Sequence, residues 1–177
     1  MLRVHATEHS AARFATPKDT EGRVDVDQRA SVGEKLARLH EWFLENTRRE
    51  ARGGAQLVAW PEANLLVFKE DEAAFLERAR RLAAGEHIYL AMGMGAVRPG
   101  APRPFENKIV LLDPSGKVAF SYLKSRPVPG WEAGIMVRGD GRLPVVMTAQ
   151  GRIGSAICFD ADFPEFVRPI GRAQTDL

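Results

Sequence analysis

The stretch "AQLVAWPE", residues 55–62, decides the fold class. It starts behind Gly53-Gly54, is almost wholly apolar through Trp60, and stops at Pro61, which suits a short strand buried on both faces. Strands of that kind sit in sheets covered by helices. Helical patterns flank this one on both sides. Upstream, Val32, Leu36, Leu39 and Phe43 recur one turn apart, predicting a helix from about Ser31 to Arg52 that the two glycines terminate. Downstream, Asp71 to Ala84 carries acids in its first turn and arginines in its last, with Gly85 behind it.

Working outward, "LRVHA" (2–6) reads as a first strand and "TPKDTEGRVDVDQ" (16–28) as a polar connection. In "HIYLAMGMGAV" (87–97) the glycines alternate with methionines, so one face of that strand is expected to lie against close-packed backbone. "NKIVLLD" (107–113) and "KVAFSYL" (117–123) flank a Pro-Ser-Gly turn and form a hairpin. After a Pro/Gly-rich loop from Lys124 to Gly134, "PVVMT" (144–148) and "RIGSAIC" (152–158) form a second hairpin. "DFPEFVRPIGRA" (162–173) opens a helix that Pro169 should end or kink early. Helices alternating with strands, with hairpins inserted, predict an α/β fold with a mixed sheet. Residues 1–177 make one domain, and "RAQTDL" (172–177) reads as the approach to a further strand, so the domain is expected to be incomplete at its C-terminus.

Bulk properties exclude several classes. The composition, 45% apolar and 27% charged, is that of a globular protein. A formal net charge of only +2, with arginines interspersed among acids, argues against nucleic-acid binding. No apolar run approaches the roughly 20 residues of a membrane span, and the opening lacks a secretory core. The single cysteine forms no internal disulfide, so a cytoplasmic setting is expected. One Cys and dispersed His offer no metal-ligand spacing. Gly93 and Gly95 do not form a dinucleotide loop, because Pro99 and Gly100 prevent a helix from following. No cofactor is expected.

Four ionisable residues stand at strand ends or in the loops just after them: Glu62, Lys124, Glu132 and Cys158. Strand ends are where an α/β fold delivers side chains into a crevice. Chemically the set is coherent, since a thiol attacking a carbonyl carbon needs a base, a donor for the oxyanion and an acid for the leaving nitrogen. Glu62 suits the base and then the acid. Lys124 suits the oxyanion, with the backbone N–H of Phe159 as a second donor, and Glu132 suits an orienting role. A carboxylate base fits better than a histidine, because none of His5, His9, His40 and His87 follows a comparable strand-end signal. Taken alone, Cys158 reads more readily as a small buried hydrophobe than as a nucleophile, and Asp160, Asp162 and Glu165 beside it as capping and helix-start acids.

Together, "WPE" (60–62), "YLKSRPVPGWE" (122–132) and "GRIGSAICFDADFPE" (151–165) resemble, in order, the three signature segments of the nitrilase superfamily, the carbon–nitrogen hydrolases. The resemblance implies a four-layer α-β-β-α sandwich with mixed sheets, and a Glu62–Lys124–Cys158 triad assisted by Glu132. It implies hydrolysis of an amide bond through a covalent acyl-enzyme, a small amide or acyl substrate, and a homo-oligomer. Lys124, Val-Pro, then Glu132 is similar to the branch containing apolipoprotein N-acyltransferase, which would pass the acyl group to an amine. The chain departs from that branch at Arg126, where a histidine is usual, and in lacking membrane helices. A further alternative is a fragment that serves only as an interaction piece.

Overall fold

The structure, a computed structural model, describes residues 4–6 and 26–177, with side chains from residue 29 onward. The polar connection therefore lies outside the described residues except for its last three, and these are already helical. The elements are β1 (Val4–Ala6), α1 (Val26–Arg52), β2 (Leu57–Ala59), β3 (Leu65–Phe68), α2 (Glu72–Glu86), β4 (Tyr89–Val97), β5 (Phe105–Leu112), β6 (Val118–Leu123), α3 (Trp131–Ile135), β7 (Val145–Thr148), β8 (Gly151–Gly154) and α4 (Pro164–Arg172). A 3₁₀ turn over Cys158–Asp162 precedes α4.

β1 to β6 form a mixed six-stranded sheet and β7–β8 a separate hairpin. Along β4, side chains alternate between two environments, as strand geometry requires. Leu90, Met92 and Met94 face a core made with α1 and α2, through Phe43, Trp60 and Phe75. Tyr89 faces the opposite way, into a second cluster with Leu57, Leu111 and Ile153 of the hairpin. On β8, Ile153 points into that cluster, while a Cβ on Gly154 would meet Ile170 of α4. The order is thus helix, sheet, hairpin, helix: the expected four layers, the last two represented by one hairpin and one helix.

Three local expectations are corrected. α1 begins at Val26 instead of Ser31. α2 runs through Gly85 and ends at His87, which takes the left-handed conformation (φ 54°) and donates its N–H to the Ala83 carbonyl. Pro169 lies inside α4 without ending it; the bond it cannot donate belonged to the carbonyl of exposed Glu165.

The sequence reading assigned no strand to residues 65–68, yet β3 is the element that creates the site. β2 pairs in parallel with Leu57↔Tyr89 through Ala59↔Ala91, and β3 pairs with the far end of the same strand edge, Leu65↔Met94 through Phe68↔Val97. Between them the chain leaves the sheet at Trp60–Asn64, with Ala63 at φ 49°. That excursion carries Glu62. Trp60 anchors it, packed on Phe43 and donating its indole N–H to Thr47 Oγ1 at 2.9 Å. Gly93 makes room for it: a Cβ there would lie 2.1 Å from the Pro61 carbonyl oxygen.

Gly93→Ala should therefore push Pro61 and Glu62 off the sheet, lowering Tm by at least about 5 °C. Gly33→Ala, in α1 with nothing within 4 Å of a new Cβ, should leave Tm unchanged or raise it slightly. Thermal unfolding followed by circular dichroism checks both.

Candidate active site

One rung of the sheet organises the site. Gly95 on β4 is registered with Asn107 on β5, and the Asn107 carbonyl accepts the N–H of Lys124 at 2.8 Å, just past the end of β6. Asn107 shares its strand face with Ile109 and Leu111 and so points between the sheets, as Lys124 does beside it. Lys108, one residue on, points to the helix side, where it joins Lys69, Glu72 and Glu106 in a compensated ion-pair network.

Lys124 is fully buried. Its Nζ donates to Glu62 Oε1 and to Glu132 Oε1, each at 3.0 Å. Burial pulls the ammonium's pKa down, but the hydrogen bonds and charges of Glu132 and Glu62 outweigh it and hold the pKa above the ordinary lysine value. Glu132, in the first turn of α3, also accepts the Val128 N–H at 2.7 Å, so it shapes the loop that carries it. Glu62 Oε1 takes a second donor, Asn107 Nδ2 at 2.7 Å. A carboxylate only accepts, which fixes the orientation of the Asn107 amide and leaves its buried Oδ1 without a partner.

Cys158 is exposed and sits at φ 45°, in the left-handed region that a side chain with a Cβ enters at a cost. Its thiol lies within the electrostatic reach of Glu62, Lys124 and the Phe159 N–H. Desolvation by the surrounding loops pushes the thiol pKa up, and the Glu62 charge adds to this, while Lys124 and the Phe159 N–H act in the opposite direction. The net direction is upward, so the resting sulfur is a thiol. Glu62, Lys124, Glu132, Cys158 and Phe159, each named from the sequence, are thus brought together.

The three neighbouring acids do not crowd the sulfur. Asp162 and Glu165 are exposed, and Asp160 is wholly buried. Asp160 does cap the 3₁₀ turn, as expected of a helix-start acid, but it does more than that. Its Oδ2 accepts from Tyr122 Oη at 2.7 Å and Ile157 N at 3.3 Å, and its Oδ1 from Arg126 N at 2.7 Å and Ser125 N at 3.2 Å. One carboxylate thereby ties the cysteine turn to β6 and to the loop after Lys124. Sequence reasoning missed Asn107, Tyr122 and the role of Asp160. For Asn107 a signal existed: it is the polar member of an otherwise apolar inward row.

No described helix is long and apolar enough to cross a membrane. Among curated proteins, the chain is 28% identical over 144 residues to an apolipoprotein N-acyltransferase of Geobacter metallireducens, covering 72% of this chain and 28% of that one. It is 28% identical over 152 residues to a protein described as a hydrolase in Mycobacterium tuberculosis, covering 72% of this chain and 49% of that one. Among solved structures, an amidase from Nesterenkonia sp. superposes with a TM-score of 0.64 at 25% identity, covering 75% of this chain and 54% of that one. A Glu-to-Gln mutant of the amidase from Nesterenkonia sp. AN1, with acrylamide added to its active-site cysteine, superposes with a TM-score of 0.65 at 24% identity. The chain spans about half the length of these amidases, and half or less of the curated relatives. The carbon-nitrogen hydrolase family matches residues 24–177, the whole described fold from α1 onward, and the chain belongs to that family.

Proposed function

We propose that this domain cleaves a carbon–nitrogen amide bond through a thioester on Cys158, with Glu62 as general base and acid. The carrying observation is that one carboxylate, Glu62, accepts from the ammonium of Lys124 and also acts electrostatically on the thiol of Cys158. Because the thiol pKa is raised, attack needs a base at the moment of reaction. Glu62 Oε1 already accepts from Lys124 and Asn107, so the thiol proton passes to Oε2.

As Sγ bonds to the carbonyl carbon, the oxygen becomes an oxyanion held by Lys124 Nζ and the Phe159 N–H. Glu62 then gives its proton to the nitrogen, the C–N bond breaks, and ammonia or an amine leaves a thioester behind. Glu62, again a carboxylate, takes a proton from water; the resulting hydroxide adds to the thioester carbon. Collapse breaks the C–S bond, the proton returns from Glu62 to sulfur, and a carboxylic acid departs. Glu132 keeps Lys124 in place throughout.

The relatives named apolipoprotein N-acyltransferase favour a second reading, in which an amine replaces water in the last half-reaction. The homo-oligomer and the small amide or acyl substrate belong to the same proposal.

Cys158→Ala should lower amide turnover at least about a thousandfold without changing the circular dichroism spectrum; retained turnover would remove Cys158 as nucleophile. Glu62→Gln should cost turnover about a hundredfold or more. It also deletes a negative charge that raises the thiol pKa, so the midpoint of the iodoacetamide alkylation profile should move to lower pH. A midpoint moving upward would contradict the assigned effect of Glu62. Mass spectrometry of the products with a primary amine present separates the two readings, carboxylic acid alone supporting hydrolysis and an N-acylated amine supporting transfer.

A further inference from the structure

The Lys124 ammonium faces two carboxylates, so the catalytic set is net negative and cannot itself attract an anion. Arg126, two residues farther along the same loop, is arranged differently. Its backbone N–H is fixed on Asp160, and its guanidinium lies over Phe163 at 4.7 Å and Phe166 at 5.2 Å. The Phe163 ring in turn meets that of Phe159 edge-on at 5.1 Å, and Phe159 directly follows Cys158. Phe159 and Phe163 are partly exposed, and Arg126 itself is exposed.

Among the described residues the Arg126 guanidinium is stacked on two rings and makes no ion pair, whereas Arg52, Arg78 and Arg81 pair with glutamates. Stacking restrains the plane of a guanidinium and leaves its edge N–H groups free, the arrangement suited to gripping a planar or tetrahedral oxyanion. We infer that Arg126 is a specificity-determining residue that binds an anionic group, a carboxylate or a phosphate, on the substrate's far end. Such a contact offsets the repulsion an anion meets from Glu62 and Glu132, and it defines the preferred substrates as anionic amides. This rests on the amide-cleaving reading above.

Turnover of succinamate, butyramide and 3-phosphonopropanamide should be compared in the wild-type protein and in Arg126→Gln, Arg126→Met and Arg126→Lys. The first two variants remove the charge, and Met keeps an apolar arm over Phe163. In wild type, kcat/KM for an anionic amide should exceed that for butyramide by about tenfold, through KM. In Arg126→Gln and Arg126→Met the ratio should fall to near one, with Arg126→Lys in between. Preference for the carboxylate or the phosphonate arm identifies the oxyanion. A wild-type ratio at or below one, or a ratio unchanged by Arg126→Met, overturns the inference. Alkylation of Cys158 by iodoacetate relative to iodoacetamide reads the same preference without turnover. Its loss in Arg126→Met without any amide cleavage would sustain the role of Arg126 while refuting the proposed reaction; amide cleavage with an unaltered alkylation ratio would do the reverse.

Discussion

A fully buried ammonium is the constraint around which this domain is organised. Removing Lys124 from water costs several kcal/mol, and only closely placed partners offset such a cost. Here the partners arrive from two distant parts of the chain, Glu62 from the break between β2 and β3 and Glu132 from the first turn of α3. Each carboxylate is in turn held by amide donors, Asn107 Nδ2 on one and the Val128 N–H on the other. Misplacing either leaves a buried charge short of a partner, so the Lys124 charge itself enforces convergence of the loops.

Convergence at this spot depends on a fault in the sheet. Two short strands share one edge of β4, and the residues between them bulge toward the hairpin layer because Gly93 has no side chain to hold them off. The rung Gly95–Asn107–Lys124 then sets a neutral donor and a cation beside the displaced carboxylate. Regular pairing continues above and below the fault, which is what keeps so irregular an excursion in one position.

What could be read in the sequence followed from local rules. The alternation of Gly93 and Gly95 with Met92 and Met94 announced a strand with one face against backbone, and that face is the one Pro61 crosses. The places of Glu62, Lys124 and Cys158 just past apolar runs announced that they converge, although only Lys124 directly follows a strand. What escaped reading depends on contacts between distant segments. β3 is a run of four residues, too short for its periodicity to be distinguished from a loop, and only its pairing with β4 makes it a strand. Asp160 resembles an ordinary helix-start acid until Tyr122 and the loop after Lys124 are seen around it. His87 replaces Gly85 as the helix stop because Ile88 and Tyr89, both buried, dictate where the next strand must begin.

The four donors gathered by Asp160 also bear on how a substrate gains access. Swinging the segment after Lys124 outward would strip a buried carboxylate of both its Ser125 and Arg126 donors, a cost above that of a hinged lid. The wall on that side is accordingly fixed, whereas the sulfur itself lies open. An approach to the thiol from the solvent side therefore requires no movement of that wall.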